Sequence, residues 1–440
     1  MNPTFSHDEL YLAQLKSIEQ QINQNQLPEA AQQLNMLAKT DSHDPRLFLL
    51  GSRLAEAAGN PGGTLQAARK AHQLAPQWHV ATIYLAAVLA SRGEAEEAIS
   101  LAERAVRQTH SEPVDQIEML SRAAAVAQRV NLHPQALQWL RQAEQISPED
   151  LAIRHQIART LSVSGDAAGA IEILNGLLLQ VPGDPVFLVD RLRACLHAGL
   201  TKQAVLDGET LVAMDATNEV YQFYFDIARG LTPVTQPSAV VAGLFDGYAA
   251  RFDHHLVVQL QYKLPRDVAK MISNWHPDRK GDVLDLGCGT GLLGACLGPI
   301  EGVLVGVDLS TEMIEKAARH RVYDRFHHVN VLDALQATPA GLYHVITALD
   351  VLIYVGNLDE VIPNAHRILM PGGRFVFSCE SGSEGEADFV LQDNFRYRHQ
   401  LSYVQRLLQT AGFESVEIED RVLRHELGQP VQGFLVTARK

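Results

Sequence analysis

The sequence predicts an all-α domain followed by an α/β domain with a mainly parallel sheet. Apolar residues recur at helical spacing through residues 5–230, and this part of the protein repeats itself with a period of 34 residues. From Asp282 onward, short apolar runs alternate with helical stretches, which is the pattern of parallel strands joined by crossover helices. A polar run with two prolines, residues 231–240, separates these parts. We therefore expect a repeat domain at 5–230, a linker at 231–240 and an α/β domain at 241–440.

Composition restricts the classes of partner. The formal net charge is -14, so nucleic acid and anionic membrane surfaces are not expected as general partners. The four cysteines fit neither a disulfide framework nor a metal site, and free thiols suit a reducing cytosol. The first residues lack the basic and apolar regions of a signal peptide, and the apolar run near residues 80–90 is too short to span a bilayer. We expect a cytoplasmic protein without a bound metal.

The repeat is marked by turn residues and by small residues. The turn residues are separated by steps of 34, 34, 38, 34 and 34 residues: Asn25, Gly59, Gly93, Asn131, Gly165 and Gly199. Five positions after each turn comes a small residue that allows two helices to approach closely: Ala30, Thr64, Ala98, Ala136, Ala170 and Ala204. This pattern resembles the tetratricopeptide repeat (TPR), with about six units; an irregular helical bundle is the alternative.

The TPR resemblance implies a superhelix whose concave groove binds a peptide or protein. In such a repeat, the position six residues before the turn faces the groove, and here it is occupied by Arg53, Arg159 and Arg193 in three of the units. Because guanidinium groups suit carboxylates, we expect an acidic peptide segment, or the C-terminal carboxylate of a partner protein, as ligand. Alternatively, these arginines pair with acids on adjacent repeats or bind the protein's own second domain.

A glycine-rich turn follows the first apolar run of the α/β part. The run Val283–Leu286 leads into Gly287, Gly289 and Gly291, and a helix-forming stretch begins at Leu292. Glycines at such a turn let backbone N–H groups approach a ligand closely. A dinucleotide-binding G-x-G-x-x-G string is present, but it begins about two residues too late after the strand. Together with Asp285, the turn instead resembles motif I of class I S-adenosylmethionine (SAM) methyltransferases.

The order of the predicted strands supports the same resemblance. Five strands alternate with helices, and two more form an antiparallel pair with no room for a helix between them. The predicted strands are 283–286, 303–307, 328–331, 344–348, 374–378, 416–423 and 433–438. Parallel strands ending in such a hairpin resemble the seven-stranded class I methyltransferase fold. With the upstream repeats, the whole sequence resembles bacterial methyltransferases that carry N-terminal TPR repeats.

The resemblance implies a set of SAM-binding residues. Asp308 ends the second strand and would accept hydrogen bonds from the ribose hydroxyls, while Met313 would pack on the adenine face. Asp333 would accept from the adenine amino group, and Tyr248, on a helix before the first strand, would reach the cofactor carboxylate. The predicted SAM-binding residues are Tyr248, Asp285, Gly287, Cys288, Gly289, Gly291, Asp308, Leu309, Met313, Asp333, Ala334 and Leu349. Any single acid at a strand end is as readily a helix cap.

The residues after strands four and five are expected to face the methyl acceptor. Asp350 and Tyr354 follow strand four, and Glu380 follows strand five. A polar aromatic cluster lies in the next insertion and includes Arg396, Tyr397, His399 and Tyr403. Among these, His399 is the best candidate base because imidazole titrates near neutral pH, with a solvated surface histidine as the alternative. Asp350 and Tyr354 are the other catalytic candidates.

Three functions remain open from the sequence. The first is a SAM-dependent methyltransferase whose acceptor, a protein or peptide, is recruited by the repeats. The second is a small-molecule methyltransferase whose repeats serve assembly. The third is a SAM-binding scaffold without catalysis, against which the intact glycines and acids argue.

Overall fold

The computed structural model describes residues 8–40, 43–109, 112–246, 260–383, 385–426 and 428–440. These residues form two compact units, Met1–Leu200 and Thr201–Lys440. None of the described helices is long and apolar enough to cross a membrane.

The first unit consists of helices that pack in consecutive pairs. They are α1 (Glu9–Asn23), α2 (Leu27–Thr40), α3 (Pro45–Ala57), α4 (Pro61–Leu74), α5 (His79–Ser91), α6 (Ala95–Gln108), α7 (Pro113–Arg129), α8 (His133–Ile146), α9 (Leu151–Val163), α10 (Ala167–Gln180) and α11 (Pro185–His197). Several begin with an acidic cap; the Asp184 carboxylate, for example, accepts hydrogen bonds from the first N–H groups of α11.

The predicted repeat marks are confirmed in the described helices. All six turn residues have positive φ, including Asn25 at 59° and Asn131 at 60°. Asparagine takes this left-handed conformation more readily than other residues with a side chain. The small residues predicted after the turns are buried. The carbonyl of Thr64, the largest of them, accepts a 2.7 Å hydrogen bond from Ser52 Oγ. The period of 34 therefore reflects the close packing of helix pairs.

The second unit begins with four described helices, α12 to α15, and then forms the sheet. Its helices are α12 (Thr201–Met214), α13 (Glu219–Ala228), α14 (Ser238–Asp246), α15 (Leu264–Trp275), α16 (Leu292–Leu297), α17 (Thr311–Arg319), α18 (Val331–Ala337), α19 (Val361–Ile368) and α20 (Leu401–Ala411). Its strands are β1 (Val283–Leu286), β2 (Leu304–Asp308), β3 (Arg325–His328), β4 (Tyr343–Ala348), β5 (Leu369–Ser381), β6 (Phe389–Leu391), β7 (Tyr397–His399), β8 (Ser415–Glu426) and β9 (Gln429–Arg439).

The sheet has the predicted mixed topology. The parallel part runs β3-β2-β1-β4-β5, and the hairpin β8–β9 joins it by antiparallel pairing of β9 with β5. Alternate residues of β1 belong to different core clusters, Leu284 and Leu286 to one and Val283 to the other. Helices thus cover both faces, which explains why the strands read as continuous apolar runs.

Two details differ from the predicted strands. The third strand was expected at 328–331 but ends at His328, because the Asn330 side chain accepts the Asp333 N–H and thereby starts α18. The short strands β6 and β7 were not predicted; β7 pairs with the C-terminal extension of β5.

The run predicted as a linker is fastened to the α/β part. We call residues 231–238 the strap. The Asn357 N–H donates to the Val234 carbonyl at 2.8 Å, and the Tyr397 hydroxyl donates to the Pro233 carbonyl at 2.8 Å. Thr235 also forms an antiparallel bridge with Val355. The strap therefore packs against the loop that follows β4 in the second unit.

Candidate active site

The glycine turn after β1 has the backbone shape that requires glycine. Gly287, Gly289 and Gly291 have φ values of 63°, 54° and 82°. A Cβ atom on Gly287 would also overlap the side chain of Val351 from the loop after β4. Gly291 is the N-cap of α16. The turn thus leaves a smooth backbone surface against which a ligand can lie.

Asp285, in β1 just before this turn, links it to neighbouring elements. Its carboxylate is buried and accepts hydrogen bonds from Thr347 Oγ1 at 2.8 Å and from the Tyr323 hydroxyl at 2.7 Å. Burial raises the pKa of Asp285 to about 6, although these two hydrogen bonds act in the opposite direction. Its two donors come from β4 and from the loop before β3, so the acid ties the turn to neighbouring elements.

Asp308 connects the end of β2 to the same turn. One carboxylate oxygen accepts the Gly289 N–H at 2.8 Å, and the other accepts the Ser310 N–H at 2.9 Å. Burial raises the pKa of Asp308, while its backbone hydrogen bonds lower it. Each oxygen keeps a further lone pair, and the residue lines the adjacent cavity, so it can also accept from a ligand hydroxyl.

A cavity of about 1300 Å³ opens over this turn within the second unit. Most of the predicted cofactor residues line it: Asp285, Gly287, Cys288, Gly289, Asp308, Leu309, Met313, Asp333 and Leu349. Gly291 and Ala334 are not among the described lining residues; Gly291 shapes the turn and Ala334 is buried in α18. Tyr248 lies outside the described residues. This part of the cavity, with glycines, Asp308 and the apolar Met313, fits a nucleoside-containing cofactor.

Asp350 and Tyr354, in the loop after β4, also line the cavity. Asp350 has a left-handed backbone with φ of 58°, and its N–H donates to Ser378 Oγ at 2.8 Å. Its Oδ1 accepts from Arg424 Nη1 at 2.5 Å. Burial raises the pKa of Asp350, while Arg424 acts to lower it. Burial also raises the pKa of Tyr354 to about 12, and its ring lies edge-on to Phe245 at 5.6 Å.

Arg424 lines the cavity, although the sequence did not indicate it as a site residue. Its buried guanidinium contacts three carboxylates, those of Asp350, Glu380 and Glu426. Arg396, which was predicted, also lines the cavity and pairs with Glu426. In the sequence, Arg424 stands in a β8 segment rich in charged residues, which reads as an exposed edge strand. Its burial follows from the carboxylates that surround it.

His399 does not line the cavity, which corrects its expected place beside the acceptor. The ring is fully buried, and Nε2 donates to the carbonyls of Val355 at 2.9 Å and Gly356 at 3.0 Å. Burial lowers the pKa of His399 to about 4. A general base must reach the proton that it removes, so we do not assign that role to His399.

The predicted residues near His399 have structural contacts instead of contacts with the cavity. The Tyr397 hydroxyl binds the strap at Pro233, and the Tyr403 hydroxyl donates to Asp359 at 2.8 Å. Glu380 is buried against Arg424. None of the three is among the described residues that line the cavity. The predicted polar aromatic cluster is therefore mostly a structural support, with Arg396 as its cavity-facing member.

Comparison with known proteins identifies both parts of the protein. Residues 256–418 match a family model described as a methyltransferase domain, and residues 132–204 match one described as a tetratricopeptide repeat. Ubiquinone biosynthesis O-methyltransferase of Psychrobacter arcticus is 33% identical over 102 residues, which cover 22% of this chain and 39% of that protein. The biotin biosynthesis bifunctional protein BioHC of Saccharophagus degradans is 25% identical over 216 residues, covering 44% of this chain and 37% of that protein.

Solved structures similar to each part have low sequence identity. Magnesium protoporphyrin IX methyltransferase (ChlM) from Synechocystis PCC 6803 with bound SAH is 17% identical, with a TM-score of 0.36, and covers 46% of this chain and 99% of that one. Pseudomonas aeruginosa pilF is 15% identical, with a TM-score of 0.40, and covers 49% of this chain and 97% of that one. The family matches thus assign a methyltransferase domain to the C-terminal part and TPR units to the N-terminal part.

Proposed function

We propose that this protein transfers a methyl group from SAM to a small acceptor molecule bound in the same cavity. The observation that carries the proposal is the three-glycine turn, which is held between Asp285 and Asp308 and opens on that cavity. The volume of about 1300 Å³ exceeds the range of roughly 300–1,000 Å³ that is usual for a single ligand. There is room for a cofactor and an acceptor together.

The residues around the glycine turn would hold SAM. The carboxylate of Asp308 would accept from the ribose hydroxyls, and Met313 with Leu309 would contact the adenine ring. Asp333 lies in the first turn of α18 and would accept from the adenine amino group. When bound, SAM supplies an activated methyl group on a sulfonium centre. The protein therefore has to position the acceptor and take up its proton.

We assign the proton-accepting role to Asp350. It lines the cavity, and its raised pKa makes a carboxylate a better base near neutral pH. With SAM supplying the methyl group, Asp350 would take up the proton that the acceptor loses. Tyr354, on the same loop, would orient the acceptor.

A small-molecule acceptor is supported by the volume of the cavity and by the names of the relatives. Several relatives are ubiquinone biosynthesis O-methyltransferases, although the first of them shares only 39% of its length with this protein. The alternative is a protein acceptor recruited by the repeats, and this alternative is supported by the TPR match.

The repeats themselves would bind a protein partner. The three predicted groove arginines differ in the ion pairs that they form. Arg53 forms an ion pair with Glu19, one repeat earlier in the sequence. Arg193 lies 3.8 Å from Asp190 on its own helix. Arg159 is exposed, with no ion pair to any described residue. We keep an acidic segment as the proposed partner, with Arg159 as its main contact.

Isothermal titration calorimetry of the purified full-length protein tests the proposal. We expect SAM and S-adenosylhomocysteine (SAH) to bind at one site per molecule and NAD not to bind. Mass spectrometry of ligands that copurify should detect SAM or SAH. Binding of NAD without SAM would replace the proposal by a dinucleotide function. Binding of SAM without turnover on any acceptor would favour the scaffold alternative.

A further inference from the structure

Part of the cavity wall is formed by residues that precede β1 in the sequence. Helix α13 contributes Gln222, Phe223 and Asp226, and the whole strap lines the same side. Three apolar side chains of this wall are exposed: Leu231 by 53%, Val234 by 57% and Leu244 by 53%. Exposed apolar side chains that converge on a cavity indicate a surface for an apolar ligand.

This wall is fixed to the loop that carries the catalytic candidates. The Gln236 N–H donates to the Tyr354 carbonyl at 3.1 Å. The ring of Tyr224, on α13, lies edge-on to Phe395 at 5.8 Å, next to Arg396. A ligand that lies against α13 and the strap is therefore held in a set position relative to Asp350 and Tyr354.

The ionised groups around Arg396 and Arg424 disfavour an anionic acceptor. Among the described residues that line the cavity, the basic ones are Arg396 and Arg424. These two guanidinium groups are paired with three carboxylates, Asp350, Glu380 and Glu426, so the ionised cluster has a net charge of −1. The acids at the rim, such as Glu219 and Glu360, add to the negative potential.

Tyr262 has a buried hydroxyl group beside the cavity. The residue is only 7% exposed, it lines the cavity, and its hydroxyl has no hydrogen-bond partner among the described residues. The nearby Leu260 carbonyl accepts the His425 N–H at 2.8 Å, which fixes this segment beside Arg424. A buried hydroxyl without a partner is costly, so a ligand group that pairs with it is expected.

We infer that the acceptor is a molecule with an apolar body and an uncharged or cationic polar end, such as an alcohol or an amine. The body lies against α13 and the strap, and the polar end lies between Asp350 and the Tyr262 hydroxyl. Carboxylates and phosphates are excluded as the methylated group. This inference rests on the proposed function and names its acceptor class.

The test uses three probes that share one apolar body: 2-naphthylmethylamine, 2-naphthylmethanol and 2-naphthoate. Each is titrated calorimetrically into the full-length protein saturated with SAH. We expect the amine and the alcohol to bind, and the carboxylate to bind at least about tenfold more weakly because of the negative cluster. Equal or tighter binding of 2-naphthoate would overturn the inference.

Variants separate the two contacts of the polar end. Tyr262→Phe should weaken the alcohol and the amine roughly two- to tenfold, the effect of one hydrogen bond, without lowering the melting temperature of the free protein. Tyr221→Phe, on α13 but away from the cavity, is the control. Asp350→Asn should reduce the preference for the amine over the alcohol, whereas the exposed Glu414→Gln should not.

The outcomes distinguish this inference from the function on which it rests. If SAH binds and none of the three probes does, the acceptor class is wrong and the cofactor site stands. If SAH itself does not bind, the proposed function fails. An unchanged affinity for the alcohol in Tyr262→Phe would remove Tyr262 from the site.

Discussion

The guanidinium of Arg424, on β8, lies 2.5 Å from the carboxylate of Asp350, at the end of β4. The two residues are 74 positions apart, and the arginine side chain is almost completely buried. The pair ties the last hairpin to the loop on which the acceptor side of the cavity is built. It also keeps a negative charge at a site from which water is largely removed.

Replacing Arg424 by methionine should destabilise the fold strongly at neutral pH. The change leaves Asp350 and Glu380 buried without their counter-charge, which costs about 3–5 kcal/mol. The loss should be smaller at pH 5, because burial raises the pKa of Asp350 and protonation then removes its charge. Urea unfolding at both pH values measures this. Arg421→Met, which breaks the more exposed pairs with Asp267 and Glu419, should cost about 1 kcal/mol or less. Equal losses in the two variants would show that burial of the Arg424 ion pairs does not increase their contribution to stability.

Asp308→Asn should weaken SAM binding while leaving the protein folded. The variant removes a charged acceptor for ligand hydroxyls and for the Gly289 N–H, a loss of roughly 1.5–3 kcal/mol, or about ten- to 150-fold in affinity. Calorimetry with SAM and SAH measures the change. Asp393→Asn, an exposed residue away from the cavity, serves as control. An unaltered SAM affinity in the Asp308 variant would contradict the proposed cofactor site.

Gly287→Ala should be more harmful than Gly385→Ala. Both glycines have positive φ, 63° and 83°, so both variants incur backbone strain of about 1–2 kcal/mol. At Gly287 the added methyl group also overlaps Val351, whereas Gly385 has open space. Thermal unfolding and SAH titration should show a larger loss at Gly287, and Val351→Ala should partly restore it. Similar effects at the two positions would mean that the turn is not closely packed.

Asp285 should make stability depend on pH between about 4 and 6. The folded protein holds the carboxyl proton up to a pKa of about 6, against 3.8 ordinarily, so it binds more protons than the unfolded state in this interval. Stability therefore falls as pH rises, by up to roughly 3 kcal/mol from this group. Asp285→Asn should flatten this part of the profile measured by urea unfolding. Asp278→Asn, on the surface, should leave it unchanged, and identical profiles for both variants would refute the assignment.

The combined change Arg159→Glu and Arg193→Glu should abolish binding of an acidic peptide to the full-length protein. Fluorescence anisotropy with a labelled poly-glutamate peptide, at low and raised salt, measures this. Arg53→Glu should have a smaller effect because Arg53 already pairs with Glu19. Arg107→Glu, on α6 and paired with Glu103, is the control of equal charge. If neither raised salt nor the double change alters the affinity for the peptide, an acidic ligand has no support.

The order of the elements and the cofactor-binding part of the cavity were predictable from local sequence. The 34-residue period, the left-handed turns and the Gly287–Gly291 turn depend on φ preferences and spacing within a few residues, so local sequence is sufficient to show them. Asp308 was also predictable, because its place at the end of a strand follows from topology alone.

The part of the cavity around Asp350 depends on contacts between distant segments and was not predictable in this way. Arg424 is buried because Asp350 and Glu380, 74 and 44 residues away, surround it. Hydrogen bonds to carbonyls 44 and 43 residues earlier in the sequence hold the His399 ring away from the cavity. The predicted linker lines the cavity and is held there by hydrogen bonds from Asn357 and Tyr397. Burial and charge pairing arise from contacts between distant segments, and periodicity and local propensity contain no information about such contacts.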